Sequence, residues 1–156
     1  MKAITLADIK QELQHLDKKQ IAELCLRLAR YKKENKELLA YLLFDADDTD
    51  NYIQQVKAMM DDDFSELNIS QLYLAKKSLR KILRIVNKHI KFAQQKQTEA
   101  ELRLHFCMLL KKSGIAYTSN KALHNLYLQQ IKKIETAISA LHDDIQYDLH
   151  KQLEQL

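Results

Sequence analysis

The chain has one glycine and no proline in 156 residues. Average usage would give roughly eleven glycines and eight prolines in a chain of this length. Glycine supplies left-handed backbone and proline interrupts helices, so tight turns and strand corners normally use both. A chain that avoids them is expected to consist of helices joined by short polar links. We therefore predict an all-α fold of six to seven antiparallel helices, in a bundle or a short HEAT-like helical array.

Length and composition predict a single helical domain over residues 1–156. Apolar residues make up 46% of the chain, which is enough for a sizeable core, and charged residues make up 29%. The longest uninterrupted apolar run, residues 38–44, is too short to cross a bilayer. The opening residues lack the apolar stretch of a secretion signal. We expect a cytoplasmic protein that does not associate with membranes.

Polar residues ahead of each apolar stretch predict where the helices begin, because their side chains cap the first backbone N–H groups. The lone glycine, Gly114, is expected just after the end of a helix. The link over residues 45–49 is predicted to be a polar turn. The expected caps are, in chain order, Thr5 with Asp8, Asp17 with Gln20, Asn35, Asn68 or Ser70, Thr98 with Glu101, and Ser119 or Asn120.

Charge is strongly segregated in the middle of the chain. Residues 45–66 contain eight acidic residues and one basic residue, whereas residues 67–96 contain eight basic residues and no acidic one. The pattern predicts a helical hairpin over residues 48–96, with an acidic helix followed by a basic one. An antiparallel hairpin would place the acidic run 61–63 beside Lys76 and Lys77. Such exposed pairs are worth about 0–1 kcal/mol each, so they would set the register more than the stability.

The basic helix, expected over residues 70–96, is the best candidate for a functional surface. Its apolar side chains form one stripe and its cations form another, about 160° away around the helix. Cations with an aromatic residue at the edge are suited to track a phosphate backbone. A charged outer face is equally typical of any amphipathic helix, and the acidic helix would neutralise part of it, so both interpretations stay open. The candidate face for a partner or a nucleic acid consists of Tyr73, Lys77, Arg80, Lys81, Arg84, Lys88 and Lys91.

A helical segment is predicted over residues 120–156, with an apolar seam that steps by four and three. Packing of this seam onto the core is one interpretation, and a homodimer through residues 127–145 is the alternative. The run His142-Asp143-Asp144 is a point at which the segment would divide into two helices. The seam consists of Tyr127, Ile131, Ile134, Ile138, Leu141 and Ile145.

No pattern of residues predicts catalysis, a cofactor or a metal. Glu12 and His15 have the spacing of two ligands on one helix face, but the sequence has no second such pair. The acidic link at residues 45–56 lacks the glycine and the glutamate that an EF-hand loop requires. Cys25 and Cys107 lie in apolar helical contexts and are expected to be buried free thiols. We therefore expect no enzyme activity, no catalytic residue and no cofactor.

Two stretches resemble an uncharacterised bacterial family of small helical proteins, known only as a domain of unknown function. The first is LADIKQELQHLDKKQIAELCLRLARYKKENKELLAYLLF at residues 6–44, and the second is ELRLHFCMLLKKSGIAYT at residues 101–118. Together they cover roughly a third of the chain, and their motifs are hydrophobic spacing rather than chemistry. The resemblance implies a helical fold and brings no activity or site residues.

The sequence therefore favours a non-enzymatic protein-interaction or scaffolding module. The alternative is a nucleic-acid-associated protein that binds phosphate backbone through the basic face of the helix at residues 70–96. A protein partner is expected, and the sequence does not identify it.

Overall fold

A computed structural model describes residues 3–156, and within that range every regular element is helical. The predicted all-α fold is confirmed. The predicted count of six to seven helices is wrong, because the described range contains eight α-helices and a π-helical turn at Tyr41–Asp45. The eight are α1 (Leu6–Leu13), α2 (Lys18–Tyr31), α3 (Lys33–Ala40), α4 (Thr49–Ser65), α5 (Leu72–Ala93), α6 (Lys96–Lys112), α7 (Lys121–Ser139) and α8 (Asp143–Leu153).

The chain divides into two compact units, which we call the N-terminal unit (Met1–Phe44) and the C-terminal unit (Asp45–Leu156). The N-terminal unit holds α1, α2, α3 and most of the π-helical turn. The C-terminal unit holds α4 to α8. The division groups contacts along the chain, and the single helical domain over residues 1–156 stays a prediction.

The first two helices of the N-terminal unit begin as the sequence predicts. Thr5 accepts a hydrogen bond from the backbone of Asp8, whose side chain accepts one in return from the backbone of Thr5. Asp17 and Gln20 form the same reciprocal pair at the start of α2. Two orphan N–H groups are thereby satisfied at each helix start.

The third helix begins two residues before its predicted cap. The structure places the boundary at Lys32, whose extended backbone (φ −140°, ψ 143°) turns the chain in a single residue. Asn35 lies inside α3 instead, and its side-chain amide donates a hydrogen bond to the carbonyl oxygen of Leu28, at 2.8 Å. Asn35 therefore joins α3 to α2 rather than capping α3.

The C-terminal unit is organised around α6. Lys57 and Asp61 on α4 pair with Glu101 and His105 on α6, so these two helices run in the same direction. The hydroxyl of Tyr52 lies 2.7 Å from Nδ1 of His89, which joins α4 to α5. Phe106 is fully buried and meets Phe64 edge-on, with 5.6 Å between ring centroids. The largest fully buried side chains are Phe106, Ile53, Met60, Leu79, Leu102, Leu104, Leu110, Leu123, Ile134, Ile138, Gln130 and Val86.

The start of α6 differs from the prediction that Thr98 caps it with Glu101. The helix already begins at Lys96, directly after Gln94 has adopted a left-handed conformation (φ 51°) that ends α5. Thr98 is fully buried inside α6, and its hydroxyl has no hydrogen-bond partner among the described residues. A non-glycine residue in left-handed backbone is thus what separates α5 from α6, and no capping pattern marks it.

The bounds predicted for the basic helix, 70–96, are wrong, because α5 begins at Leu72 and ends at Ala93. Asn68 accepts hydrogen bonds from Ser70 in the turn before it, so neither residue caps the helix.

The later boundaries follow the predicted signals. Gly114 comes one residue after the cap of α6 and has φ 78°, as expected of a glycine at that place. Asn120 caps α7 by accepting a hydrogen bond from the backbone of Leu123. The segment 120–156 divides into α7 and α8 around His142, which adds the eighth helix.

Within residues 3–156, no helix combines the length and the apolar character that a membrane crossing requires.

Candidate interaction surfaces

The basic face predicted on α5 lies mostly on the surface of the C-terminal unit. Six of its seven residues are exposed, and Lys88 is half-buried with a partner of its own. The opposite side of α5 carries the core residues Ala75, Leu79, Ile82, Val86 and Ile90. The exposed six are Tyr73, Lys77, Arg80, Lys81, Arg84 and Lys91.

The exposed cations of α5 are not neutralised by the acidic helix. Asp61, which was expected beside the opening lysines of α5, instead has its Oδ1 atom 2.7 Å from Nε2 of His105 on α6. Among the described carboxylates, none forms a salt bridge with Lys77, Arg80 or Arg84. The physical reason is that α4 directs Lys57 and Asp61 toward α6, so these side chains meet that helix and not the outer face of α5.

A buried polar network connects α5, α6 and α7. The guanidinium of Arg103 donates to Oε1 of Glu99 (3.0 and 3.1 Å), to Oδ1 of Asn87 on α5 (2.9 Å) and to Oε1 of Gln130 on α7 (2.8 Å). Arg103 is 5% exposed and Gln130 is 2% exposed. Burial raises the pKa of Glu99, but hydrogen bonds from Lys96 and Arg103, together with their charges, outweigh it and lower that pKa overall. The network therefore holds a charged carboxylate at a half-buried position.

A shallow groove of about 280 Å³ lies beside this network, between the start of α6 and the outer side of α7. Its cations are Lys96, Lys132 and Lys133, and its only carboxylate is Glu99, which already binds Lys96 and Arg103. Sequence reasoning missed this groove because its lysines come from two helices. The adjacent pair Lys132-Lys133 was the available signal, and a helix with a charged outer face explains it equally well.

The N-terminal unit has almost no core. Tyr41 is the one buried residue in the described range 3–44. Large apolar side chains are exposed on every helix, including Leu6 at 84%, Leu28 at 60% and Phe44 at 81%. Scattered exposed leucines are ordinary, but a run of helices without buried apolar residues is typical of a surface that is covered by a partner.

Two grooves flank the hairpin formed by α2 and α3. The larger groove, of about 580 Å³, has an apolar floor and an entirely cationic rim of Arg30, Lys33 and Lys36. The smaller groove, of about 240 Å³, is apolar apart from Asn35 and borders Cys25. The two grooves share Ala29 and Leu39, so the hairpin is one layer thick and apolar on both sides. The floor of the larger groove consists of Leu26, Ala29, Leu39, Ala40, Leu43 and Phe44.

The cysteines differ from each other in burial. Cys107 is buried as predicted, and burial raises the pKa of its thiol to about 12 against the smaller opposing effect of the Arg103 charge. Cys25 is only half-buried, so the prediction of two buried thiols is wrong for it. The reason is that α2 has no buried side chain at all. In the described part of the chain, no group of three or more His, Cys, Asp or Glu is placed to hold a metal.

The apolar seam of residues 127–145 contributes to the core of the C-terminal unit. Ile134 and Ile138 are fully buried, whereas Tyr127, Ile131 and Ile145 are half-buried. The homodimer through this seam stays a prediction, and Ile134 and Ile138 are not available to it as exposed anchors.

The resemblance to an uncharacterised bacterial family also stays a prediction, since no family model, curated protein or solved structure matches this chain.

Proposed function

We propose that this protein is a non-enzymatic interaction module, and that its N-terminal unit binds an amphipathic helix of a protein partner. The observation that carries the proposal is the larger groove between α2 and α3, which combines an apolar floor with a rim of three cations. A helix laid in an apolar groove is a recurrent mode of peptide recognition, in which side chains at i, i+3, i+4 and i+7 are the anchors.

The apolar floor supplies the affinity of such a complex. Leu26, Leu43 and Phe44 are 49%, 64% and 81% exposed, so covering them removes about two whole apolar side chains from water. At roughly 1.5–3 kcal/mol for each fully buried side chain, this gives about 3–6 kcal/mol before the cost of association. The partner's own anchors add a similar amount. We expect a dissociation constant in the micromolar range.

The rim supplies the specificity. Arg30 and Lys36 have no salt-bridge partner among the described residues, and Lys33 makes only a long pair of 3.8 Å with Glu37. A partner helix with carboxylates along its polar flanks would meet these cations, whereas a basic helix would be repelled. We therefore infer an acidic amphipathic helix as the occupant.

Two further aspects of the proposal concern architecture and location. Neighbouring helices are linked by the contacts of Tyr52 with His89 and of Arg103 with Gln130. Helices α4 and α6 run in the same direction, so the direction alternates along the chain from α4 through α5 to α6. This alternation supports a bundle over a HEAT-like array for residues 45–156.

Both cysteines are free thiols, which supports a location in a reducing compartment such as the cytoplasm.

The experiment is fluorescence anisotropy with two labelled synthetic helices of about 18 residues, one with glutamates and one with lysines flanking the same leucine stripe. We expect the glutamate helix to bind at least tenfold more tightly than the lysine helix. Leu43→Asp should weaken its binding at least tenfold, because an aspartate would stand on the apolar floor. Leu6→Asp is the matched control, since Leu6 is equally apolar, 84% exposed and outside the groove. Equal binding of the two helices, or equal effects of the two substitutions, would refute the proposal.

A further inference from the structure

We propose that the C-terminal unit carries a second binding site, for the phosphate backbone of double-stranded nucleic acid. The site, which we call the basic surface, joins the outer face of α5 to the lysine groove between α6 and α7. It is independent of the groove in the N-terminal unit, and either proposal can fail without the other. The basic surface consists of Lys77, Arg80, Lys81, Arg84 and Lys91 on α5, with Lys96, Lys132 and Lys133 beside them.

The positive charge on the exposed face of α5 is not compensated. The exposed cations from Lys77 to Lys91 extend over about 21 Å at 1.5 Å per residue. None of them forms a salt bridge with a carboxylate of residues 3–156. Cations at i, i+4 spacing, such as Arg80 and Arg84, repel each other on a helix. An anionic polymer that lies along the face would remove this repulsion.

The exposed face of α5 and the lysine groove are neighbours. Arg103 donates one hydrogen bond to Asn87 on α5 and others to Glu99, which lines the groove. Asn87 falls within about 60° of Arg80, Arg84 and Lys91 around the axis of α5, at 100° per residue. Lys132 and Lys133 form no salt bridge with any described carboxylate, so the groove adds two free cations to the edge of the α5 face.

The contacts of α4 with α6 lie on a different side of α6 from the lysine groove. Glu101 and His105, which meet Lys57 and Asp61 of α4, lie about 200–240° around α6 from Glu99. Asp61 is therefore directed away from the lysines of the groove, and its negative charge lies on another side of α6. Charge segregated in this way steers association.

The chemistry of the surface favours a duplex backbone over other polyanions. A protein interface normally has apolar or aromatic anchors at its centre, and no large apolar side chain is exposed on α5 between Lys77 and Lys91. A single strand would be held by bases stacked on several aromatic rings, and Tyr73 is the one exposed aromatic on this face. Phosphates on a rigid duplex require only cations, which act without reading sequence.

The test is anisotropy of the full chain with a labelled DNA duplex of about 24 base pairs, in two unrelated sequences, at about 50 and 200 mM salt. Arg80→Glu with Arg84→Glu reverses the middle of the basic surface. Lys18→Glu with Lys121→Glu is the control of equal charge change, because both lysines are exposed and open a helix, where glutamate suits the dipole. Urea unfolding of each variant identifies any loss of folded protein.

We expect both sequences to bind with a similar dissociation constant, in the low micromolar range at about 50 mM salt. The arginine variant should bind at least tenfold more weakly, and its slope of log affinity against log salt should fall by about two, since two phosphate contacts are lost. The control variant should stay within about threefold of the original protein. Lys132→Glu with Lys133→Glu should weaken binding at least threefold.

The proposal would be overturned by an absence of binding at about 50 mM salt, or by equal losses in the arginine and control variants. Tighter binding of a single strand of the same length would overturn the choice of duplex. Displacement of the duplex by polyglutamate at equal charge concentration would overturn the choice of nucleic acid over an acidic protein. An unchanged affinity in the variant with Lys132→Glu and Lys133→Glu would show that the lysine groove is not part of the binding site.

Discussion

Replacement of Arg103 by methionine tests whether the buried network holds the C-terminal unit together. Methionine fills a similar volume but removes the guanidinium that binds Glu99, Asn87 and Gln130 at 2.8–3.1 Å. Gln130 is 2% exposed, so its side-chain oxygen, Oε1, would lose a hydrogen-bond partner that water cannot easily replace. Glu99 would keep only Lys96.

The size of the effect follows from these contacts. Removal of one partner from a buried ion pair costs about 3–5 kcal/mol, because the remaining charge stays desolvated. The side chain of Glu99 is 18% exposed and retains Lys96 at 3.1 Å, so the lower end of this range applies. The lost acceptor partner at Gln130 adds about 1 kcal/mol. We expect the free energy of unfolding to fall by about 3–4 kcal/mol.

The assay is urea unfolding followed by helical circular dichroism, at neutral pH and again near pH 3.5. Folding lowers the pKa of Glu99 below its ordinary value of 4.5. The contribution of Glu99 to the free energy of unfolding is therefore fully present above pH 4.5, and it is lost as the pH falls through the pKa of the folded state. The difference in the free energy of unfolding between the original protein and Arg103→Met should therefore be smaller near pH 3.5 than at neutral pH. Lys132→Met is the matched control, because Lys132 is exposed at the neighbouring groove, and it should change stability by less than about 0.5 kcal/mol. A loss below about 1 kcal/mol for Arg103→Met, or a difference that does not vary with pH, would refute the reasoning.

Two other predictions concern backbone strain and thiol chemistry. Gln94→Gly should stabilise the protein by about 0.5–1 kcal/mol in the same urea assay, because glycine adopts φ 51° without strain. Gln95→Gly is the control and should not stabilise the protein, since Gln95 has an extended φ of −121°. Equal effects at the two positions would contradict the role of left-handed backbone. At pH 8, a chromogenic disulfide reagent should modify Cys25 in the folded protein and Cys107 only after unfolding, since Cys107 is buried with a pKa of about 12. Reaction of both thiols at one rate would contradict this prediction.

Helices and most of their ends were predictable because their signals are local. A single glycine among 156 residues indicates an all-helical chain, and the pairs Thr5 with Asp8 and Asp17 with Gln20 satisfy backbone groups three residues apart. The start of α6 was not predictable in this way. Thr98 and Glu101 match a capping pattern, but the left-handed turn at Gln94 depends on packing and leaves Thr98 buried inside the helix.

The candidate surfaces were likewise predictable where they depend on one helix, and not where they depend on which helices are neighbours. The exposed face of α5 follows from helical periodicity alone, and six of its seven predicted residues are exposed. The pairing of Asp61 was mispredicted, since a charge count cannot tell whether α4 directs its carboxylates to α5 or to α6. The lysine groove and the lack of a core around α2 depend on which helices are neighbours, and periodicity does not contain that information.

The placement of apolar burial separates folding from binding in this chain. All the largest fully buried side chains lie between Ile53 and Ile138, in the C-terminal unit, so hydrophobic stabilisation of the fold is concentrated there. Most leucines of the N-terminal unit are exposed, and an exposed leucine that becomes polar loses little folded-state contact. Substitutions such as Leu43→Asp therefore change the proposed docking surface while the core stays intact. The reverse holds for Arg103, whose removal weakens the packing of the C-terminal unit beneath the basic surface without taking a cation from the exposed face.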